Sequence, residues 1–430
     1  MNQKIRDLSD LDLAMMLEDH FGSDNLLKGP SGVWLFEGLV WRELTNDKLK
    51  ALATSLLADR VDKVMRNRLI NMLDVFKTHN WMAEEAFEQG DPNLVVMADG
   101  YRAYTNGQWS VVSTNKELRR RISLPWRYTV DRPMKFDQFL QDILCNAEGE
   151  PSPDCKQLTD LIWEMLGYCM ATHARYEKCF MLCGPGANGK SVLGAIAKEM
   201  VGRKYTASVQ PAKMDSVFQR SHLEGKLLNL VTELNQNEEL KDGMLKAIVS
   251  GEMMSVERKH QDVREIEPFA KHIILTNHLP RIRDYSDGLF RRVIIISLQR
   301  QFLEGSADPH LLEKLTGELD AIASRALDAL GRLIDNNGQF STPPSCVAAK
   351  DGWRADNNHV EQFLSDQVYR DPAQSVSVQA LYNAYEDWFF TTGLRAKLGR
   401  KQFSNRVEAA GITKSPRRSE GFSFEGVSLR

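Results

Sequence analysis

The stretch Cys179 to Ser191, CFMLCGPGANGKS, constrains this chain more than any other. Phe180, Met181 and Leu182 predict a short buried strand, a glycine loop follows, and a helix opens at Lys190. The spacing G-x-x-x-x-G-K-S in that context predicts a phosphate-binding loop made of Gly184, Pro185, Gly186, Ala187, Asn188, Gly189, Lys190 and Ser191. Gly184 and Gly189 let the backbone turn tightly enough for successive N–H groups to face phosphate oxygens, and the helix adds its positive end. Lys190 would reach the β- and γ-phosphates, and the Ser191 hydroxyl would bind Mg²⁺. A chance glycine turn explains neither the terminal Lys-Ser nor the strand before it. The ligand this stretch implies is a nucleoside triphosphate with Mg²⁺.

Composition sets wider bounds. A chain of 430 residues has room for two or three domains, and a formal net charge of −3 does not by itself announce a nucleic-acid binder. Charge is unevenly placed, however: residues 395 to 430 carry nine Lys or Arg against three Glu, a net of +6. Such a tail can meet phosphate, although a solvated basic face is the commoner meaning of a run like this. The six cysteines form no C-x-x-C pair, so free thiols in a reducing cytoplasm are expected. No apolar run approaches a membrane span and the N-terminus leads into no signal-peptide core, so a cytoplasmic protein with no membrane partner is expected.

In chain order, residues 1–150 read as a mixed α+β scaffold. It holds a β unit from Gly32 to Leu44 with a turn at Glu37-Gly38, helical residues 46 to 88, a hairpin around Asn106-Gly107, and a helix from Phe136 to Leu144. Asp10-Leu11-Asp12 reads as an exposed helix start rather than a metal site, because no companion acid or His follows. Residues 151–336 alternate as an α/β unit, with apolar strands at Leu227–Val231, His272–Leu275 and Val293–Ser297. Residues 337–358, rich in Gly and Pro, read as a linker. Residues 359–430 predict three helices and a terminal hairpin, which suggests a winged helix with its third helix, bearing Lys401, as the recognition helix and Arg417 and Arg418 beyond it. A helical protein-docking module fits that last part nearly as well.

Two strand ends offer chemistry. An ATPase needs a group that orients water at the end of a strand neighbouring the loop, and Glu233, after KLLNLVT, is placed for it. Thr232 stands where many such enzymes carry a second acid. Metal binding would therefore rest on Ser191, on solvent waters, or on Glu233 through a water. Asn277, after HIILT, could hydrogen-bond the γ-phosphate and the attacking water. Between them, Met253 to Phe269 predicts two extended pieces around a charged tip at Arg258, Lys259 and His260.

The ordered set GPGANGKS, LLNLVTE, LKAIVSGE with ERK, HIILTNHLP and DGLFRRVIIISL resembles a superfamily 3 helicase. It is more narrowly similar to the phage and poxvirus primase-helicase branch, whose members are AAA+ ATPases working as hexameric rings on DNA. The resemblance implies an α/β fold. It would comprise an AAA+ P-loop ATPase core, an N-terminal mixed α+β helicase-associated domain and a C-terminal winged-helix-like domain. Gly184, Gly189, Lys190 and Ser191 match the Walker A element, Glu233 the Walker B acid and Asn277 the sensor asparagine. Lys246, Gly251 and Lys259 match a further motif whose basic hairpin tip grips a strand in the ring pore. Arg291 or Arg292 matches the arginine finger that completes a neighbouring subunit's site, and the sequence leaves open which.

The implied function is an ATP-dependent replicative DNA helicase of a phage, prophage or mobile element. Its cofactors would be ATP and Mg²⁺, and its partners single-stranded and replication-fork DNA and further copies of itself. Larger members carry a primase domain upstream. The residues before the ATPase part hold no primase metal site, so priming would fall to a separate primase. The alternative is an ATP-regulated origin-binding protein that grips duplex DNA without processive unwinding.

Overall fold

The computed structural model describes residues 8–58, 66–82, 87–234, 242–259, 262–280, 282, 287–302, 305, 308–392, 397–416 and 421–430. The chain opens with α1 (Asp10–Phe21), the antiparallel strands β1 (Leu26–Gly29), β2 (Gly32–Glu37) and β3 (Val40–Glu43), then α2 (Asn46–Ala58) and α3 (Arg66–Thr78). Ser9 starts α1 through a capping box: its hydroxyl accepts from the Asp12 N–H, and the Asp12 carboxylate accepts from the Ser9 N–H. Asp12 is thus a helix cap, while Asp10 lies 3.7 Å from Arg68. The helical stretch expected to run to residue 88 stops at Thr78, and Asn80 takes a φ of 59°.

A second antiparallel sheet joins β4 (Val95–Met97), β5 (Gly100–Thr105) and β6 (Gln108–Val112). Asn106 and Gly107 both have positive φ, 52° and 81°, the backbone that a two-residue hairpin turn requires. Next come α4 (Met134–Ile143) and α5 (Cys155–Tyr168). Phe136, Phe139, Leu140 and Ile143 bury one face of α4.

The following segment alternates β7 (Cys179–Cys183), α6 (Lys190–Val201), β8 (Thr206–Ala207), α7 (Val217–Arg220), β9 (Leu228–Val231) and α8 (Asp242–Val249). It continues with the hairpin β10 (Met254–Val256) and β11 (Arg264–Ile266), β12 (Lys271–Thr276), α9 (Asp287–Phe290) and β13 (Val293–Ser297). Five of these strands form a parallel sheet in the order β13-β7-β12-β9-β8. Every residue of β9 and β12 is buried, as unbroken apolar runs covered on both faces must be. Helices α10 (Leu311–Thr316) and α11 (Leu319–Asp335) complete the cover. The backbones of α5 and α11 meet at Gly167, where a Cβ would lie 2.3 Å from the Ala326 carbonyl. One hydrophobic core joins α4, α5, β7, α6 and α11. The cut expected at residue 150 therefore runs through continuous packing.

The chain ends with α12 (Pro344–Asn357), α13 (His359–Gln367), β14 (Val368–Ser377), α14 (Val378–Thr391), α15 (Arg400–Ala409) and β15 (Ser423–Leu429). Residues 337–358 are a correction to the expected linker, because most of them form α12. Pro344 sits at the first helical position, where its missing N–H is harmless, and a Cβ on Gly352 would meet nothing. Trp353 is buried against Phe290 and donates its indole N–H to the Pro280 carbonyl at 2.8 Å. Beyond it, α13, α14, α15 and the β14-β15 pair enclose a separate core around Phe363, Tyr385 and Phe403. The three expected helices are present, and β14 is an additional strand that pairs with β15 through a register shift between Arg370 and Ser375. Among the described residues, no helix is long and apolar enough to cross a membrane.

Candidate functional site

The glycine loop leaves β7 and enters α6 as its spacing predicts. Gly184 has φ of +155°, and a Cβ there would stand 2.0 Å from the Leu298 carbonyl oxygen. Gly189 has φ of +84°, and a Cβ would stand 2.5 Å from the Ile143 side chain of α4. Both positions are closed to any larger residue. Pro185, Gly186 and Ala187 are exposed, whereas Asn188 is buried.

Asn188 and the segment after β13 hold the loop's shape. The Asn188 amide donates to the Leu298 carbonyl at 2.9 Å, the Phe302 N–H donates to the Ala187 carbonyl at 2.8 Å, and Gln301 reaches the Gly186 carbonyl at 3.2 Å. Lys190 folds back over the loop. Its ammonium donates to the carbonyls of Gly184 (2.6 Å) and Pro185 (3.0 Å) and to Asn188 Oδ1 (2.9 Å). Those acceptors occupy its three N–H donors, which phosphate oxygens would take over on binding. Burial pulls the Lys190 pKa below the usual lysine value.

Sheet register sets the other two groups beside the loop. Thr276 pairs with Cys183, so Asn277 stands level with Gly184, and the Gly184 N–H donates to the Thr276 carbonyl at 3.3 Å. The Thr276 hydroxyl donates to the His278 carbonyl at 2.6 Å and accepts from the His278 N–H, which bends the chain and leaves Asn277 exposed. Val231 pairs with Ile274, so Glu233, two residues on, stands level with Thr276. Here the expectation that Glu233 ends a strand next to the loop strand is corrected. β12 lies between them, which sets Glu233 two strand spacings, roughly 10 Å, from the loop strand. Asn277 is the nearer group.

A cleft of about 980 Å³ brings the loop residues Gly186 to Ser191 together with Thr232, Glu233 and Asn277. Its remaining wall is mixed: Met134 and Phe139 of α4, Phe302, and Leu311 and Leu312 of α10 supply an apolar part, and Lys135, Asp142, Asp308 and Lys314 a charged one. Sequence reasoning missed these and Thr276. The apolar face of α4 is legible in the chain, but where it docks is not. Among the described residues, no three His, Cys, Asp or Glu side chains gather as a metal cage. Among the oxygen donors that line the cleft, the Ser191 hydroxyl at the end of the loop and the Glu233 carboxylate fit a Mg²⁺ carried on phosphates and keeping several waters.

The two arginines lie elsewhere. Val293 pairs with Cys179, so Arg291 and Arg292 stand at the opposite end of the parallel strands, roughly 20 Å along the sheet from Gly184 at about 3.3 Å per residue. The Arg291 side chain is 65% exposed and 3.8 Å from Glu177, whereas that of Arg292 is 10% exposed and bonded on several sides. In the hairpin β10-β11, Arg258 and Arg264 both pair with Glu224, and Lys259 is exposed. Lys246 lies on α8, and Gly251, just after it, has φ of +70°. Lys401 is exposed on α15. His260, Arg417 and Arg418 lie outside the described residues.

Fold and cleft define an α/β protein in which a glycine loop opens a helix beside the carboxyl ends of a parallel sheet. Comparison with known proteins agrees with that class. Residues 182–292 match the family of unknown function DUF5906. The chain is similar to "Putative helicase L207/L206" of Acanthamoeba polyphaga mimivirus, 24% identical over 176 residues, which is 38% of this chain and 18% of that protein. It is also similar to "Putative helicase 022R" of Frog virus 3, 21% identical over 228 residues, 48% of this chain and 23% of that protein. The matches thus span about a fifth of the length of these curated relatives. In fold, the chain resembles the NrS-1 C-terminal region, with a TM-score of 0.51 and 12% identity over 97% of this chain and 98% of that one.

Proposed function

We propose that this chain is an ATP-hydrolysing motor acting on DNA, an AAA+ ATPase of the superfamily 3 helicase type that works as a hexameric ring in replication. The observation that carries this reading is the division of the sheet. The loop, Asn277 and Glu233 meet in one cleft at the carboxyl ends of the strands, while Arg291 is exposed at the other end. Arg291 stands too far from its own copy's cleft to reach a nucleotide held there, so as an arginine finger it would have to serve another copy. Similarity to viral proteins named as helicases supports the reading.

In this reading Gly184 to Ser191 hold the triphosphate, and Ser191 with Glu233 would hold Mg²⁺, which would neutralise charge on the phosphates. Glu233 orients and deprotonates water, and Asn277 hydrogen-bonds the γ-phosphate. The hairpin tip at Lys259 grips the phosphate backbone of single-stranded DNA, so binding weakens steeply with salt. The C-terminal unit acts as a winged helix, with Lys401 of α15 toward DNA.

The test is the steady-state ATPase rate against protein concentration, with and without single-stranded DNA, with Lys190→Ala as the blank. A rate rising more steeply than protein concentration and stimulated by DNA is expected. A rate linear in protein and indifferent to DNA, together with tight sequence-specific duplex binding, would favour an origin-binding protein instead.

A further inference from the structure

Neighbouring arginines at the start of β13 have opposite environments. Arg291 extends into solvent, restrained by Glu177 at 3.8 Å, and its backbone carbonyl accepts from the Lys178 ammonium at 2.6 Å. Arg292 turns inward. Its Nε donates to the Ser250 hydroxyl at 2.9 Å, one terminal nitrogen donates to the Gly288 carbonyl at 2.7 Å, and the other pairs with Glu177 at 2.8 Å. A planar guanidinium held on three sides is a rigid strut, and it is not available to a second copy of the chain.

The strut ends at the root of the hairpin. Ser250 follows the last residue of α8, and β10 begins at Met254. Between them, Gly251 leaves no slack, since a Cβ there would lie 3.0 Å from the Ala174 side chain and 3.1 Å from the Pro268 carbonyl. The Glu252 N–H returns to the Ala247 carbonyl. Farther out, Arg220 donates to the Ser255 carbonyl at 3.0 Å, and Glu224 clasps Arg258 and Arg264. The hairpin is thus braced along its length, and its root bonds directly to the residue beside Arg291.

We propose that Arg291 is the arginine that reaches a neighbouring copy's nucleotide. Arg292 is then a positioning residue that couples Arg291, through Ser250, to the DNA-gripping hairpin. This rests on the motor reading above. When Arg291 leaves Glu177 for a γ-phosphate, Glu177 is left to Arg292 alone, and the strut passes that change through Ser250 to Met254 and the hairpin.

The test compares Ser250→Ala, Ser250→Thr and Arg292→Lys with the wild-type chain. The readouts are ATP hydrolysis with and without single-stranded DNA, thermal midpoint and assembly size. For Ser250→Ala and Arg292→Lys, DNA stimulation is expected to fall about tenfold, the rate equivalent of one hydrogen bond to a charged group. The assembly size and, for Ser250→Ala, the DNA-free rate are expected to hold, while the thermal midpoint falls modestly because the Arg292 Nε loses its acceptor. Ser250→Thr, which keeps the hydroxyl, restores stimulation. An active wild type whose Ser250→Ala and Arg292→Lys variants are stimulated equally well overturns the coupling and leaves the motor reading standing. A wild type that hydrolyses ATP without any response to DNA overturns both.

Discussion

Asn188 donates its side-chain amide to the carbonyl of Leu298 at 2.9 Å and accepts from the Lys190 ammonium with its Oδ1 at 2.9 Å, so one buried residue ties the glycine loop both to the end of β13 and to its own lysine. Asn188→Ala removes both bonds and strands a buried carbonyl. A stability loss of about 1–3 kcal/mol is expected, with a larger loss of nucleotide affinity. Chemical denaturation and titration with a fluorescent ATP analogue measure the two separately. Unchanged nucleotide affinity would mean that the loop holds its shape without Asn188.

Glu233 lines the cleft with Asn277 and stands two strands from the loop strand. Glu233→Gln keeps size and hydrogen-bonding capacity while removing the base. Hydrolysis is expected to fall by a factor on the order of 10² to 10⁴, with a much smaller loss of affinity for Mg·ATP, because the loop and Ser191 still hold the triphosphate. Hydrolysis at the wild-type rate would remove Glu233 from the mechanism.

Arg291 stands at the far end of the sheet from its own loop, so its loss and the loss of Lys190 fall on different copies of a shared site. Arg291→Ala alone is expected to reduce hydrolysis by a factor on the order of 10³ or more, in line with arginine fingers elsewhere. Mixing it with Lys190→Ala protein brings an intact loop against an intact finger, and part of the activity returns. If mixtures in any ratio stay inactive although the two variants co-assemble, the site is not shared.

Lys271 is a buried cation at the start of β12, donating to the carbonyls of Ala171, His173 (3.2 Å) and Phe269 (2.9 Å). Burial pulls its pKa down to about 7, against about 10.4 for an unfolded lysine. Between those values the folded protein has released a proton that the unfolded chain still binds, so this residue's contribution to stability rises with pH. His173, held down to about 2, titrates below that window, and Cys169, pushed up to about 12, is present in both proteins, so its own titration largely cancels in the difference between them. The difference in unfolding free energy between wild type and Lys271→Met is expected to grow in favour of wild type from pH 7 to pH 10. A flat difference would mean that the ammonium stays charged in the folded state.

Much of the fold is legible in the chain because its signals are local. The apolar runs of β7, β9, β12 and β13 and the turns at Glu37-Gly38 and Asn106-Gly107 depend on neighbours a few residues away. The errors come from residues whose environment is remote. Residues 337–358 look like a linker because Pro and Gly dominate locally, yet Trp353 finds Phe290 and the Pro280 carbonyl across the fold. β14 escaped notice because its residues are mostly exposed and polar, and only β15, far along the chain, makes them a strand.

The sequence by itself determined the loop and its chemistry, since two glycines, a lysine and a serine at fixed spacing act on adjacent backbone. It also marked Glu233 and Asn277 as strand ends. Only the tertiary structure decided that β12 separates Glu233 from the loop strand, that α4 closes the cleft, and that Arg292 is bound inward while Arg291 is exposed. Adjacent identical residues carry identical local signals. What distinguishes Arg291 from Arg292 is the position of Ser250, Gly288 and Glu177, which is a property of strand order and packing.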